Sequence, residues 1–212
     1  MAAMTLTPRA ITFPVILSFS IKNYAMFPGT GKVEVLEHAV QHGVNLIIGI
    51  NGLGKTTLLN ALFRTLTGPF DWQSRATHGP AGGTPLALSR WAGSSYFLSR
   101  VQDGAAAATI ELLIAFGKRR LRVVRSLKGL ELKGLSVDDA QQALDEGVYQ
   151  TWCKELSGVA SFDDFFVLLR YAIFAFEDHQ PVLWDPTAQI DLTRALFYDN
   201  APSLRIRQLM DT

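Results

Sequence analysis

The sequence predicts an α/β domain with an antiparallel β-subdomain and flanking helices, and three observations carry that prediction. The apolar run Leu46-Ile47-Ile48 enters a glycine-rich turn that leaves as a patterned helix, a strand–turn–helix unit. Strand-like runs then follow one another over residues 96–135 with short turn signals between them. Helical patterning dominates the final third. At 212 residues the chain is long enough for a substantial core.

The first ten residues, Met1–Ala10, read as a loose leader. Val15–Tyr24 is the first expected strand, and Lys32–Leu36 is expected to pair with it. Glu37–Gly43 is a connection, and Val44–Gly49 is the apolar strand that feeds the turn. From Gly49 to Thr56 the chain fits G-x-x-x-x-G-K-[ST] at every fixed position. The physical logic is that of a phosphate cradle. Gly49, Gly52 and Gly54 let the backbone curl so that its N–H groups face an anion. The helix starting near Lys55 adds unpaired amides and the positive end of its dipole. Lys55 would reach the β- and γ-phosphates, and the Thr56 hydroxyl would ligate Mg²⁺. A glycine-rich turn that binds nothing is the alternative; the strand pattern before and the helix pattern after weigh against it.

Leu58, Leu59, Leu62, Phe63 and Leu66 recur at helical spacing through about Thr67, and Gly68-Pro69 stops that helix. Residues 71–89, with Gly79-Pro80, Gly82-Gly83 and Pro85, read as a loop. Strands are expected over Tyr96–Gln102, Thr109–Phe116, Leu121–Leu127 and Leu130–Leu135, with turns at Gly117-Lys118 and Lys128-Gly129. Ser136 with Asp139 predicts a helix start, running to about Leu156 with Gly158 beyond it. Ser161 and Asp164 predict another, and the continuously apolar Leu168–Phe176 reads as an interior strand. Asp185-Pro186 opens a helix to about Tyr198, and Pro202–Thr212 reads as a last one.

Two stretches carry a family resemblance. Residues 49–57, Gly-Ile-Asn-Gly-Leu-Gly-Lys-Thr-Thr, resemble the G-x-N-G-x-G-K-T-T/S form of ABC-class P-loop ATPases of the SMC and RecF type. Phe19-Ser20-Ile21-Lys22-Asn23-Tyr24 looks like the "lkNF" strand that opens such heads. The resemblance covers about the first third of the chain. It implies that residues 1–200 form an N-terminal head lobe, with 201–212 starting a helix toward a coiled coil rooted near Arg205 and Arg207. It implies ATP binding by Gly49, Asn51, Gly52, Gly54, Lys55, Thr56 and Thr57, and ATP hydrolysis with Mg²⁺ held in part by Thr56. In that family a C-terminal lobe supplies the signature and the metal-binding Asp, and two heads sandwich two ATP molecules. Hydrolysis there is coupled to DNA or to an effector such as a nuclease, in repair, maintenance or defence.

The second half holds further stretches to set beside that family. The segment after Phe174 resembles the Q-loop region, with Gln180 the favoured carrier of a polar group to the metal and Glu177 and Asp178 as substitutes. A polar surface turn before Pro181 is the competing reading. Leu156-Ser157-Gly158-Val159 is half of a Leu-Ser-Gly-Gly-Gln signature, but Val159 replaces the second glycine, and a helix C-cap is preferred. One rival reading keeps Ser157-Gly158 and Glu177-Asp178 as the working parts of a compact, complete ATPase. The other is a nucleotide-binding switch or scaffold with little turnover.

Charge and composition set the remaining bounds. Net charge is +1, so any DNA contact must be local. The one basic cluster spans residues 117–128, and on a strand Arg120, Arg122 and Lys128 would share a face suited to DNA phosphates. An ordinary solvated edge is the competing reading. Cys153 has no internal disulfide partner, which fits a reducing cytoplasm. No apolar run reaches membrane-spanning length. A 48% hydrophobic content and a mean hydropathy of +0.16 are high, and point to apolar surface for a partner or missing lobe to cover.

Overall fold

The computed structural model describes residues 10–28, 35–72, 88–91, 95–176 and 186–197. It divides into two compact units: Phe13–Asp71 with Arg90–Tyr149, and Met1–Thr12 with Trp72–Ser89 and Gln150–Thr212. The leader before Ala10, most of the loop over 71–89, and the helix expected over Pro202–Thr212 lie outside the described residues.

The first of these units holds a six-stranded antiparallel sheet in the order β2-β1-β5-β6-β7-β8. Its strands are β1 (Val15–Lys22), β2 (Val35–Ala39), β5 (Thr109–Phe116), β6 (Arg119–Ser126), β7 (Leu132–Val137) and β8 (Ala140–Gln141). Alternation explains the two faces. On one face Phe19, Ile21, Ile110, Leu112, Ile114, Leu121 and Val123 are all buried. Helix α1 (Lys55–Thr67) packs against β5 and β6, contributing buried Leu58, Leu62, Phe63 and Leu66. Each such side chain contributes about 1.5–3 kcal/mol of hydrophobic stabilisation. Gly68 ends α1 at φ 66°, with its N–H on Arg64 O at 2.8 Å. A short ribbon pairs β3 (Phe70–Trp72) with β4 (Leu88–Arg90).

Several elements correct the sequence reading. The second strand runs on to Ala39, three residues past its expected end at Leu36, and its register sets Ser20 opposite Glu37; its expected start at Lys32 lies outside the described residues. Tyr96–Gln102 is no strand: α2 (Ser95–Leu98) and turns replace it, because Tyr96 and Phe97 pack edge-on at 5.0 Å. The helix expected from Ser136 begins only at Glu146, as α3 (Glu146–Ser157). Ser136 instead completes β7, and Asp138 and Asp139, at φ 49° and 66°, turn the chain back into β8. Two consecutive left-handed residues make the hairpin that Asp residues tolerate.

In the other unit, Ser161 caps α4 (Phe162–Leu168) as predicted, its Oγ accepting from Asp164 N at 3.2 Å. The run expected as an interior strand continues this helix as a π-helical turn, Leu169–Ile173, closed by Phe174 N on Leu169 O at 2.8 Å. A continuous apolar run cannot by itself separate a buried strand from a buried helix. Helix α5 (Pro186–Phe197) fits the predicted bounds, and its Arg194 pairs with the fully buried Asp164 of α4 at 2.6 Å. Among the described residues no helix is long and apolar enough to cross a membrane.

The largest departure precedes the glycine-rich turn. Residues 44–50 belong to no strand. Val44, Leu46, Ile48 and Ile50 are 75–89% exposed, and Ile47 and Leu53 are 58% exposed. The expected strand therefore stands without neighbours on either of its faces among the described residues.

Candidate nucleotide site

The glycine-rich turn folds as an anion cradle. Gly52 and Gly54 sit at φ 90° and 86°, a left-handed backbone that favours glycine. Gly54 is required twice over, since a Cβ there would lie 2.8 Å from Met26 Sδ and 3.0 Å from Phe27 Cε1. It is also the N-cap of α1, and no side chain caps the helix. The helical ladder begins with Leu58 N on Gly54 O at 2.8 Å, so the amides of Lys55, Thr56 and Thr57 precede it. No acidic residue occupies the first turn. Open amides and no competing carboxylate fit a phosphate at this end of the helix.

Lys55 Nζ donates to the carbonyls of Gly49 at 2.6 Å and Ile50 at 3.0 Å, which curls its cation over the loop's own backbone. A phosphate entering the cradle would replace those carbonyls as the stronger acceptor. Thr56 is exposed, where its hydroxyl suits a metal ligand, and Asn51 and Gly52 are exposed beside it. Thr57 is 1% exposed, so its contribution to a bound anion is through its main-chain N–H. Gly49 lies at the mouth of the loop under the Lys55 ammonium.

Glu177, Asp178 and Gln180 lie outside the described residues. Ser157 and Gly158 form the helix C-cap: Gly158 has φ 73° and donates to Lys154 O at 2.9 Å, while Ser157 Oγ donates to Cys153 O at 2.5 Å. A Cβ on Gly158 would come within 2.7 Å of Ala10 O. Glycine is thus explained there without a ligand.

The cationic stripe is interrupted. Arg120 and Arg122 do share the solvent face of β6, but Arg122 grips Glu111 with two hydrogen bonds of 2.6 and 2.8 Å. That carboxylate raises the Arg122 pKa above its ordinary value, first through the hydrogen bond and then through its charge. Lys128 is exposed but lies in the turn after β6, so strand alternation does not place it.

Sequence reasoning missed the surroundings of the cradle. Asn23, at φ 54°, turns the chain at the end of β1 and leads to Tyr24, whose hydroxyl donates to Phe97 O at 3.1 Å. Burial pushes the Tyr24 phenol up to about 12. Tyr24 meets Phe27 edge-on at 5.7 Å. Isolated aromatics in turns have no periodicity, so only the Tyr24 match to a strand motif signalled this wall.

A glycine-rich turn of this geometry, opening a helix packed on a sheet, defines a P-loop nucleotide-binding domain. The chain belongs to the AAA domain family, whose model matches residues 18–157, and it carries an AAA-type ATPase domain. No individually curated protein matches the chain.

Proposed function

We propose that this chain is the ATP-binding N-terminal lobe of an SMC/RecF-like ATPase head, completed by a C-terminal lobe. The observation that carries the reading is the exposure of Val44, Leu46, Ile47 and Ile48 directly before the cradle. Consecutive apolar side chains along an extended segment suit a strand buried on both faces, as in a parallel sheet with covered sides. Such a strand needs neighbours, and a complementary lobe would supply them together with the acidic metal ligand that activates water. ATP and Mg²⁺ are the ligands the cradle fits: Lys55, Thr56 and the loop amides would hold the triphosphate, and the metal would balance its charge.

Two such heads would close around ATP as a homodimer and reopen on hydrolysis, coupling nucleotide state to DNA or to an effector subunit such as a nuclease. Arg120 and Lys128, both exposed, would supply part of a backbone contact to DNA. The test is turnover. The 212-residue chain alone should bind ATP·Mg²⁺ and hydrolyse it near the background rate. Steady turnover by this chain, abolished by Asp178→Asn, would instead establish a compact and complete ATPase.

A further inference from the structure

Asparagine is a poor residue for the interior of a helix, because its side chain competes for backbone groups. Asn60 nonetheless occupies the second turn of α1, between Leu59 and Ala61. Both donors of its side-chain amide are engaged. Nδ2 donates to Thr56 O at 3.0 Å and to the Tyr96 hydroxyl oxygen at 3.2 Å. Thr56, one turn earlier, is the exposed residue whose hydroxyl suits a metal ligand.

The first turn of α1 has few other ties. Gly54 at the N-cap offers no side chain, and the helical ladder starts only with Leu58 N on Gly54 O. Turns at helix ends fray when so little holds them. The Asn60 amide adds a side-chain donor to the Thr56 carbonyl and anchors it outside the helix. Its anchor, Tyr96 of α2, is itself held by three neighbours. The Tyr96 ring lies edge-on to buried Phe97 at 5.0 Å and tilted against Trp91 at 6.3 Å. The Arg100 guanidinium carbon covers its face at 4.2 Å.

We propose that Asn60, braced by Tyr96, is a positioning residue for Thr56, fixing the main chain from which the Thr56 hydroxyl is presented to Mg²⁺. This inference rests on the cradle binding ATP·Mg²⁺. Groups that support a metal ligand orient it and so set metal affinity. Asn60 bonds the carbonyl of Thr56 and not its hydroxyl, so it acts on the ligand's direction and leaves the charge at the metal alone. The loop amides and Lys55 reach the phosphates independently of Asn60, so nucleotide binding without metal does not depend on it.

The test is calorimetric titration of the 212-residue chain with ATP, in excess Mg²⁺ and in EDTA. The proteins are wild type, Asn60→Ala, Tyr96→Phe, Thr56→Ala and the double variant Asn60→Ala with Thr56→Ala. Alanine is the strongest helix former, so Asn60→Ala keeps the fold. Magnesium should tighten ATP binding by wild type. Asn60→Ala should cut that gain roughly three- to tenfold, at or below the lower end of what losing a ligand's support costs, with the affinity in EDTA unchanged. Tyr96→Phe keeps the ring and loses only the acceptor, so it should give a smaller loss in the same direction. Thr56→Ala should remove the gain, and adding Asn60→Ala to it should change nothing more. Equal weakening by Asn60→Ala with and without Mg²⁺, no change in either, or a further loss on top of Thr56→Ala overturns the proposal and leaves the cradle standing. Wild type that binds no ATP in either condition overturns the cradle, and wild type whose affinity ignores Mg²⁺ overturns the metal role of Thr56; this inference falls with either.

Discussion

The guanidinium of Arg125 is fully buried, and it meets the carboxylate of Glu146 through both of its terminal nitrogens, with Nη2 to Oε2 at 2.9 Å. Arg125 also donates from Nε to Thr65 O at 3.0 Å and from Nη1 to Leu130 O at 2.8 Å. Its guanidinium carbon lies 4.6 Å from the Tyr149 ring centroid. Tyr149 itself donates to Leu66 O at 2.5 Å. The carbonyl end of α1, where the helix dipole is negative, is thus closed by a cation and a phenol. The other end of the same helix is the cradle.

Removing one member of that pair should be costly. Arg125→Ala leaves Glu146 without its partner and Thr65 O and Leu130 O without donors, and should destabilise the protein by about 3–5 kcal/mol. Replacing both partners by apolar residues (Arg125→Met with Glu146→Leu) should recover part of that loss. Denaturant unfolding of the single and double variants measures it. A loss below about 1 kcal/mol for Arg125→Ala would show the pair to be incidental.

A pH response follows from Tyr24. Its pKa is raised to about 12 against an ordinary value near 10, so the folded state favours the protonated phenol. The associated stability is fully present below about pH 10 and is lost as pH rises through about 12. A two-unit shift corresponds to about 2.7 kcal/mol at most. Tyr24→Phe should remove this part of the alkaline stability loss, as seen in urea melts across that range. An identical decline in both proteins would contradict the assignment.

The acid-labile counterpart is Asp138 in the β7–β8 turn. The main-chain N–H of Arg120 and then the Arg119 guanidinium hold its carboxyl below the ordinary carboxylate range. Its contribution is present above the unfolded pKa and fades as pH falls through the lower folded value. Carboxyl titration by NMR should show Asp138 protonating later than an unperturbed Asp as acid is added. Titration at the ordinary value would remove this turn from the acid response.

For DNA, the structure narrows the expectation. Arg122 is already neutralised by Glu111, so Arg120 and Lys128 are the members of the stripe left to contact phosphates. In the assembled head dimer, Arg120→Gln with Lys128→Gln should make log K against log salt shallower by about 1.8 in slope, about 0.9 per lost contact. Adding Arg122→Gln should change little more. An unchanged slope in the double variant would remove this surface from DNA binding.

Much of the fold was legible because its signals are local. The cradle, α1 and the β5–β6 hairpin rest on glycines, helical spacing and strand alternation inside one window. Errors arose where tertiary contacts decide. Ser136 and Asp139 mimic a helix cap, yet they flank a hairpin. Tyr96 and Phe97 resemble a strand, yet they pack edge-on in a helical turn. Arg125 illustrates the limit: its strand parity matches buried Leu121 and Val123, which marks it as inward-facing. Its partner Glu146 lies 21 residues on and cannot be read from spacing. Val44–Ile50 was legible as an apolar strand, but whether it has neighbours depends on chain outside its window.

The central claim is that Gly49–Thr56 binds the phosphates of ATP, with Lys55 as its cation. Calorimetric titration of wild type and Lys55→Ala with ATP·Mg²⁺ tests it most directly. Wild type should bind saturably, and the variant should bind at least about tenfold more weakly, equivalent to about 1.4 kcal/mol. Equal affinities in the two proteins would contradict it.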